Sequence, residues 1–477
     1  MEWLPEQHLA YFVLDVVKEL ELGAIEGAIQ AKEGRGERPY SPRMMVGLLL
    51  YAYCTGTFSS RKIARATYED VAFRVLAGGA HPHFTTVNSF RLAHRVALAE
   101  LFRQVLGLCR HAGLKTLGHV SVDGSKVQAN ASKHKAMSYA RMEADEKRLK
   151  AEIEALLRKA EETDALEDKE QGDGDGTTDV PAELQRREKR LSRIREAKEA
   201  LQREAAAARA EALRENAAGL EAKVLAGTGT PKELGAAGTL AKQSRAKADK
   251  LSPPDDSDDD EGSGPGSPLT TLPEHAAQTT ADGSPKPKAQ RNFTDPESRI
   301  MVRNGVFMQA FNAQAAVSED QIVVAHGLSN AGTDATLLVP MLERVRESCG
   351  ELPAMLTADT GYLSDENLRY CEERGIDAYI ALRSVDEVAQ ESAAKTARAR
   401  RRYQMQIKLR SDLGRETYAK RKVLVEPVFG QIKAAMGFRR FSLRGLAKAA
   451  SEWGFVCACH NLLKLFRRRL GPVLQAA

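Results

Sequence analysis

Apolar and polar positions divide the chain into stretches of different period. Up to about residue 113 the apolar positions recur at helical spacing, with Met44, Leu48, Leu49 and Tyr51 on one face and Ile63, Val71, Phe73 and Leu76 on another. Ser41-Pro42 predicts a helix start, serine as N-cap and proline in the first turn. Ser59-Ser60-Arg61-Lys62 opens another helix, and the break Gly78-Gly79-Ala80-His81-Pro82 is followed by Thr85-Thr86-Val87-Asn88-Ser89-Phe90-Arg91. Short helices that begin with Arg, Ser, Thr and Asn read either as a helix-turn-helix, whose helix N-termini meet phosphates and bases, or as a plain helical bundle. Residues 117–123 predict a strand. Two charged helices follow, over about 142–166 and 181–218, with Leu149, Ile153, Leu156 and Leu184, Leu191, Ile194, Leu201 forming a seam near heptad spacing.

Gly and Asp in residues 171–176 predict the turn of an antiparallel helical hairpin, either a dimer contact or a solvated intramolecular pair. Residues 224–290 are rich in Gly, Pro, Ser, Asp and Lys, the composition of a disordered linker that cannot bury a core. Order returns near Arg291. Residues 306–317 and 322–325 predict a hairpin around Ser318-Glu319-Asp320. A helix over 334–346, a strand over 354–359, a helix over 365–374 and a strand over 378–382 come next. A hairpin followed by alternating helix and strand is the order of an α/β sheet, with the insertion between its first and second strands.

At 477 residues the chain has room for two or three domains. No apolar run is long enough to span a bilayer, and Met1-Glu2-Trp3-Leu4-Pro5-Glu6 is no signal peptide. Six scattered cysteines make no disulfide framework and suit a reducing cytoplasm. Cys457-x-Cys459-His460 lies in an apolar helical run with no second pair nearby, so it reads as core and not as zinc. The net charge of +5 hides a strong asymmetry. Between Lys395 and Arg469, twenty Lys or Arg stand against the four acids Asp412, Glu416, Glu426 and Glu452, offset elsewhere by the acidic run 255–261. Such segregation predicts a face that binds a polyanion.

Three carboxylates add chemistry to that face. Asp123 follows Val120-Ser121-Val122, Asp359 follows Met355-Leu356-Thr357-Ala358, and Glu426 sits in a basic helical pattern from Tyr418 to Lys433. Two strand-end aspartates and one helix glutamate suit a two-magnesium phosphoryl-transfer site, because Mg²⁺ takes oxygen ligands from a few carboxylates and the substrate phosphate. Asp295 and Asp334 are rival second carboxylates. Asp359 is preferred because a strand delivers it to the carboxyl end of the sheet, where α/β sites form. Glu426 and Lys433, seven apart, share a helix face, with Lys422 one turn before Glu426. Pro427 fits if the regular helix starts near Leu424. Trp453, in a late apolar helix, reads as core.

The run from Asp123 to Ser132, Thr294-Asp295-Pro296-Glu297-Ser298-Arg299, Ala358-Asp359-Thr360-Gly361-Tyr362 and the run from Val425 to Lys433 resemble bacterial insertion-sequence transposases of the Asp-Asp-Glu class. The resemblance covers the N-terminal hundred residues and the two core pieces, not the middle insertion. It implies a ribonuclease-H-like α/β catalytic core, to which the residue pattern itself adds an all-α N-terminal domain and a helical-hairpin plus disordered insertion. The expected divisions are a DNA-binding domain at 1–113, the first core part at 114–141, the hairpin at 142–223, the linker at 224–290, and the rest of the core with basic helices at 291–470. It implies Asp123, Asp359 and Glu426 as catalytic metal ligands for two Mg²⁺ or Mn²⁺ ions.

That family carries a Tyr-x2-Arg-x3-Glu-x6-Lys signature. Tyr418-x2-Arg421 and Glu426-x6-Lys433 fit it, but four residues separate Arg421 from Glu426, and Lys422 holds the expected spacing. Tyr418, Arg421, Lys422 and Lys433 are thus the expected DNA contacts, with the basic position open between Arg421 and Lys422. The implied partners are double-stranded DNA, both terminal inverted repeats and target, and further copies of the chain on DNA; the implied setting is the cytoplasmic nucleoid. A purely hydrolytic nuclease and a catalytically silent DNA-binding scaffold are the competing readings.

Overall fold

A computed structural model describes residues 3–30, 39–167, 180–252, 272–303, 305–382 and 396–474. In chain order the N-terminal helices are α1 (Leu9–Glu19), α2 (Gly23–Gln30), α3 (Pro42–Cys54), α4 (Ser60–Glu69), α5 (Val71–Leu76), α6 (Phe84–Ala93) and α7 (Arg95–His111). Then come β1 (His119–Gln128), β2 (Ala136–Ser138), α8 (Tyr139–Glu167), α9 (Val180–Leu225), α10 (Pro231–Leu251) and β3 (Gln290–Asn292). The remainder comprises β4 (Arg299–Arg303), β5 (Val306–Val317), β6 (Val323–Ser329), α11 (Leu338–Cys349), β7 (Met355–Ala358), α12 (Asp365–Glu373) and β8 (Asp377–Ile380). It closes with α13 (Ala397–Arg410), α14 (Asp412–Ala419), α15 (Arg421–Gly430) and α16 (Leu446–Leu474). Among the described residues no helix is long and apolar enough to cross a membrane.

The chain forms two units, one of Met1–Asn130, Pro265–Glu274 and Ile300–Ala477, the other of Ala131–Gly264 and His275–Arg299. In the first, a six-stranded sheet runs β4-β5-β1-β7-β8, with β6 on β5. β1, β7 and β8 are parallel, and β5 is antiparallel to β1 and β6. Hairpin, helix and strand therefore follow in the expected order. α3 starts with Pro42 in its first turn and is buried from Met45 to Cys54. α5 is capped by Asp70, whose carboxylate accepts from the Ala72 and Phe73 amides.

In the second unit α8 and α9 share a small core of Met142, Leu149, Leu191, Ile194 and Leu201. The turn expected at 171–176 and the acidic run 255–261 lie outside the described residues. Residues 231–251 are not the unstructured linker their composition suggested. Thr230 and Glu233 form a reciprocal capping box with Pro231 in the first turn, and Ala237, Ala241, Ser244 and Ala248 make a buried small-residue stripe. Short-range capping and alanine spacing outweigh a glycine- and lysine-rich average. β2, pairing with β3, belongs to this unit and not to the first core piece.

Three further expectations are corrected. β1 continues to Gln128, paired with β5 throughout, so Asp123 is mid-strand. The apolar run stops at Val122 because only there does β1 lose its second neighbour, β7, at the Val122–Ala358 pair. The helix expected from Asp334 begins at Leu338, because the Asp334 carboxylate accepts from the Asn312 and Gln314 amides. Pro427 lies inside α15, beyond its first turn. Proline cannot bond the Val423 carbonyl one turn back, and the Gln321 side-chain amide donates to that carbonyl instead at 2.7 Å.

Candidate active site

The last β1–β7 pair, Val122 with Ala358, precedes both Asp123 and Asp359 by one residue, so parallel pairing sets the two aspartates side by side. Each commits one oxygen to a nearby amide: Asp123 Oδ1 accepts from Gly124 N and Asp359 Oδ1 from Gly361 N, both at 2.8 Å. The second oxygens turn to one guanidinium. Arg421 Nη2 donates to Asp123 Oδ2 at 2.7 Å and lies 3.9 Å from Asp359 Oδ2, while Nη1 donates to Glu426 Oε1 at 3.4 Å. All three expected carboxylates thus surround a single cation.

α14 ends at Ala419 and α15 begins at Arg421, with Lys420 at the junction, so Tyr418 and Glu426 belong to different helices. Arg421 is the basic residue that meets the carboxylates; Lys422 is exposed. Tyr418 is half-buried, its hydroxyl pushed up by burial while Arg421 pulls the other way. α15 passes into a single π-helical turn, Gln431–Ala435, that carries Lys433. Such turns often occur at functional sites. The Lys433 ammonium donates to the Ser125 hydroxyl and, at 3.1 Å, to the Lys126 carbonyl.

Burial is the largest influence on these groups. It raises the Asp123 carboxyl to about 6, with Arg421 lowering it and Asp359 raising it. It lowers the Lys433 ammonium to about 8, helped by Arg303. Asp123, Glu426 and Lys433 line a cleft of about 550 Å³ together with Ser125, Phe429, Arg303 and Arg439. Arg303 ends β4, and Arg439 donates to the Lys433 carbonyl at 3.0 Å. A cleft lined by two carboxylates and three cations suits a phosphodiester beside a metal.

Three carboxylates with no soft donor are the chemistry a divalent hard cation takes. Among the described residues no three acidic, histidine or cysteine side chains converge as closely as ligands of one ion must. Arg421 stands among them and supplies the positive charge. The rival carboxylates are bound to other partners. Asp334 is bound to Asn312 and Gln314, and Asp295 is fully buried in the second unit. Trp453 is core, its indole donating to the Gln314 carbonyl at 3.0 Å. Cys457, Cys459 and His460 are core too, with His460 Nε2 3.0 Å from the Gln321 carbonyl oxygen.

Arg303 and Arg439 escaped the sequence reading although they stand four and six residues beyond the Thr294–Arg299 and Val425–Lys433 runs, because spacing alone does not show which basic side chain reaches the cleft. The polar layer around Asp334 had a legible signal: Asn312 and Gln314 alternate with Ala313 and Ala315 in the buried second half of β5, which marks one polar face. Residues 289–462 match the family model described as a transposase DDE domain, and residues 1–92 match a transposase domain (DUF772). Asp359, Arg421, Glu426 and Lys433 fall inside the first match, and Asp123 outside both. No curated protein and no solved structure matches the chain.

Proposed function

The chain belongs to the DDE-type insertion-sequence transposases, enzymes that act on DNA, and we propose that it binds the terminal inverted repeats of its own element and performs strand cleavage and strand transfer at one site. The observation that carries this reading is the gathering of Asp123, Asp359 and Glu426 around Arg421 beside a basic cleft. Asp123, Asp359 and Glu426 would hold two Mg²⁺ or Mn²⁺ ions, which when bound supply charge stabilisation to the attacking and leaving oxygens of an in-line displacement. Lys433, Arg303 and Arg439 grip the phosphates that enter the cleft. Arg421 holds the carboxylates together until its charge is replaced, and can then turn to the DNA backbone. Water attack in cleavage and 3′-hydroxyl attack in transfer are the same displacement at phosphorus, so one set of side chains serves both. The helical N-terminal region, with α4 and α6 beginning in Ser, Arg and Thr, reads the ends, and several copies assemble on DNA.

Incubation of the full chain with Mg²⁺, a labelled terminal-repeat end and plasmid tests this. Joining of the label into plasmid is expected, and alanine at Asp123, Asp359 or Glu426 abolishes cleavage while end binding persists. Free ends without joining would make the protein a nuclease, and no metal-dependent nicking would make it a DNA-binding scaffold. Wild-type cleavage by the Asp359→Ala protein would remove that residue from the site.

A further inference from the structure

The glycines that give their amides to the two aspartates are backed by a second polar layer. At Gly124 an added Cβ would run into the Gln314 side-chain amide and come within 3.0 Å of Asp334 Oδ1; at Gly361 it would come within 3.2 Å of Asp334 Oδ2. One carboxylate therefore abuts both glycine backbones. It is itself fixed: Asp334 Oδ1 accepts from Asn312 Nδ2 at 2.6 Å and from Gln314 Nε2 at 2.9 Å. The Gln314 Oε1 accepts from the Tyr362 hydroxyl, so the layer also grips the turn that follows Asp359. The ammonium of Lys126, buried with no hydrogen-bond partner, stands 3.6 Å from Asp334 and balances its charge.

We propose that Asp334, with Lys126 as its counter-ion and Gln314 as its link, is a positioning residue that aims Asp123 and Asp359 through Gly124 and Gly361. The logic is mechanical. Each aspartate is oriented by a hydrogen bond from a glycine amide, and those amides can shift only if the layer behind them moves. A side chain at Gly124 would have to displace the Gln314 amide, which stands where its Cβ would be. Oxygen ligands of a hard cation must be aimed to within a few tenths of an ångström, and groups that hold ligands in place typically affect affinity or activity about 10- to 100-fold. The inference rests on the reading of Asp123 and Asp359 as metal ligands.

The test uses the full chain and measures Mn²⁺ binding by calorimetry without DNA, together with cleavage, end binding and thermal melting. Asp334→Ala combined with Lys126→Met removes both buried charges, so neither is left unpaired. This variant is expected to bind Mn²⁺ about 10- to 100-fold more weakly and to need correspondingly more metal for cleavage, with end binding and melting close to wild type. Asp334→Asn, again combined with Lys126→Met, keeps an oxygen for the Asn312 and Gln314 amides and is expected to restore Mn²⁺ affinity. Gly124→Ala, which displaces Gln314, should reproduce the defect. Wild-type Mn²⁺ affinity in the double variant overturns the proposal, as does parallel loss of melting, end binding and metal binding in every variant. Asp123→Ala separates the two ideas. If it binds Mn²⁺ normally, the metal-site reading fails; if it does not while the double variant does, only the positioning role fails.

Discussion

The two units solve the burial problem with opposite materials. The first packs large side chains, among them Trp453, Tyr53, Tyr362, Phe311, Phe438 and Phe441, and buries polar groups such as Asn312, Gln314, Ser121 and Thr357 within the same core. The second packs long helices through a short leucine and isoleucine seam that gives way to Ala205, Ala210 and Ala217 on α9 and Ala237, Ala241 and Ala248 on α10. Its charges pair near the surface, as where Glu146 meets Lys150, Arg195 and Lys198. The difference teaches where chemistry can be built. A sheet with two covered faces can hold carboxylates on one and their supports on the other. A helix pair has one apolar seam and leaves its ionisable groups to solvent.

Core truncation should expose this contrast most strongly. Trp453 is fully buried, its indole N–H bonds the Gln314 carbonyl, and its ring stacks with Phe429 at 6.2 Å between centroids. Trp453→Ala is expected to cost about 3–5 kcal/mol, and cleavage should fall with it because Gln314 loses its anchor. Ile194→Ala removes a side chain 1% exposed in the second unit and should cost about 2–5 kcal/mol there. Metal-dependent nicking should survive it. Thermal melting followed by circular dichroism, with nicking measured in parallel, checks both; equal loss of nicking in the two variants would erase the distinction.

How legible each unit was follows from the same contrast. The strands and Asp359 could be read because a buried sheet demands apolar runs, and the runs end where the parallel neighbour ends. Asp123 was read at a strand end and stands mid-strand, since an antiparallel partner carries β1 six residues past its apolar stretch to Gln128. Glu426 was legible as a helix residue, but the break at Lys420 has no local signal: neither Gly nor Pro stands there. Which of Arg421 and Lys422 meets the carboxylates is visible only in tertiary contact. α10 was missed because a stripe of alanines barely raises the apolar average, although its capping box was visible at Thr230 and Glu233.

Acid should separate the units by a smaller margin. In the first unit burial lowers His326 to about 3 and His460 to about 4, and lowers His119 as well. A histidine depressed in the fold contributes stability that is complete above the unfolded value near 6.5. That stability is lost as pH falls toward the folded value, at up to about 1.4 kcal/mol per pH unit for each group. The second unit has His275, lowered by burial, and Glu146, lowered to about 2 by its lysine and arginine partners. The Glu146 contribution is present above about 4.5 and disappears only as pH falls toward 2. Both tryptophans, Trp3 and Trp453, belong to the first unit, so indole fluorescence reports that unit alone. Fluorescence should change at a higher pH than the helical circular dichroism, which the long helices of the second unit dominate. Coincident transitions would show one cooperative block.

The finest distinction concerns DNA. If the first unit holds the phosphates, charge removal in its cleft should change the salt dependence of binding, and charge removal in the second unit should not. Lys433 and Arg439 line the cleft, whereas Lys198 is engaged with Glu146 at 3.1 Å. With six to ten phosphates neutralised, affinity should fall about 10³- to 10⁵-fold between roughly 50 and 200 mM salt, because each contact releases condensed counterions. Lys433→Ala and Arg439→Ala should each lower the slope of log affinity against log salt by about one unit and weaken all sequences alike. Lys198→Ala should leave the slope unchanged. Lost preference for the terminal repeat at constant slope would instead mean that the altered residue reads a base. A wild-type slope near zero would remove the polyanion face from the basic C-terminal helices altogether, and with it the division of labour between the two units.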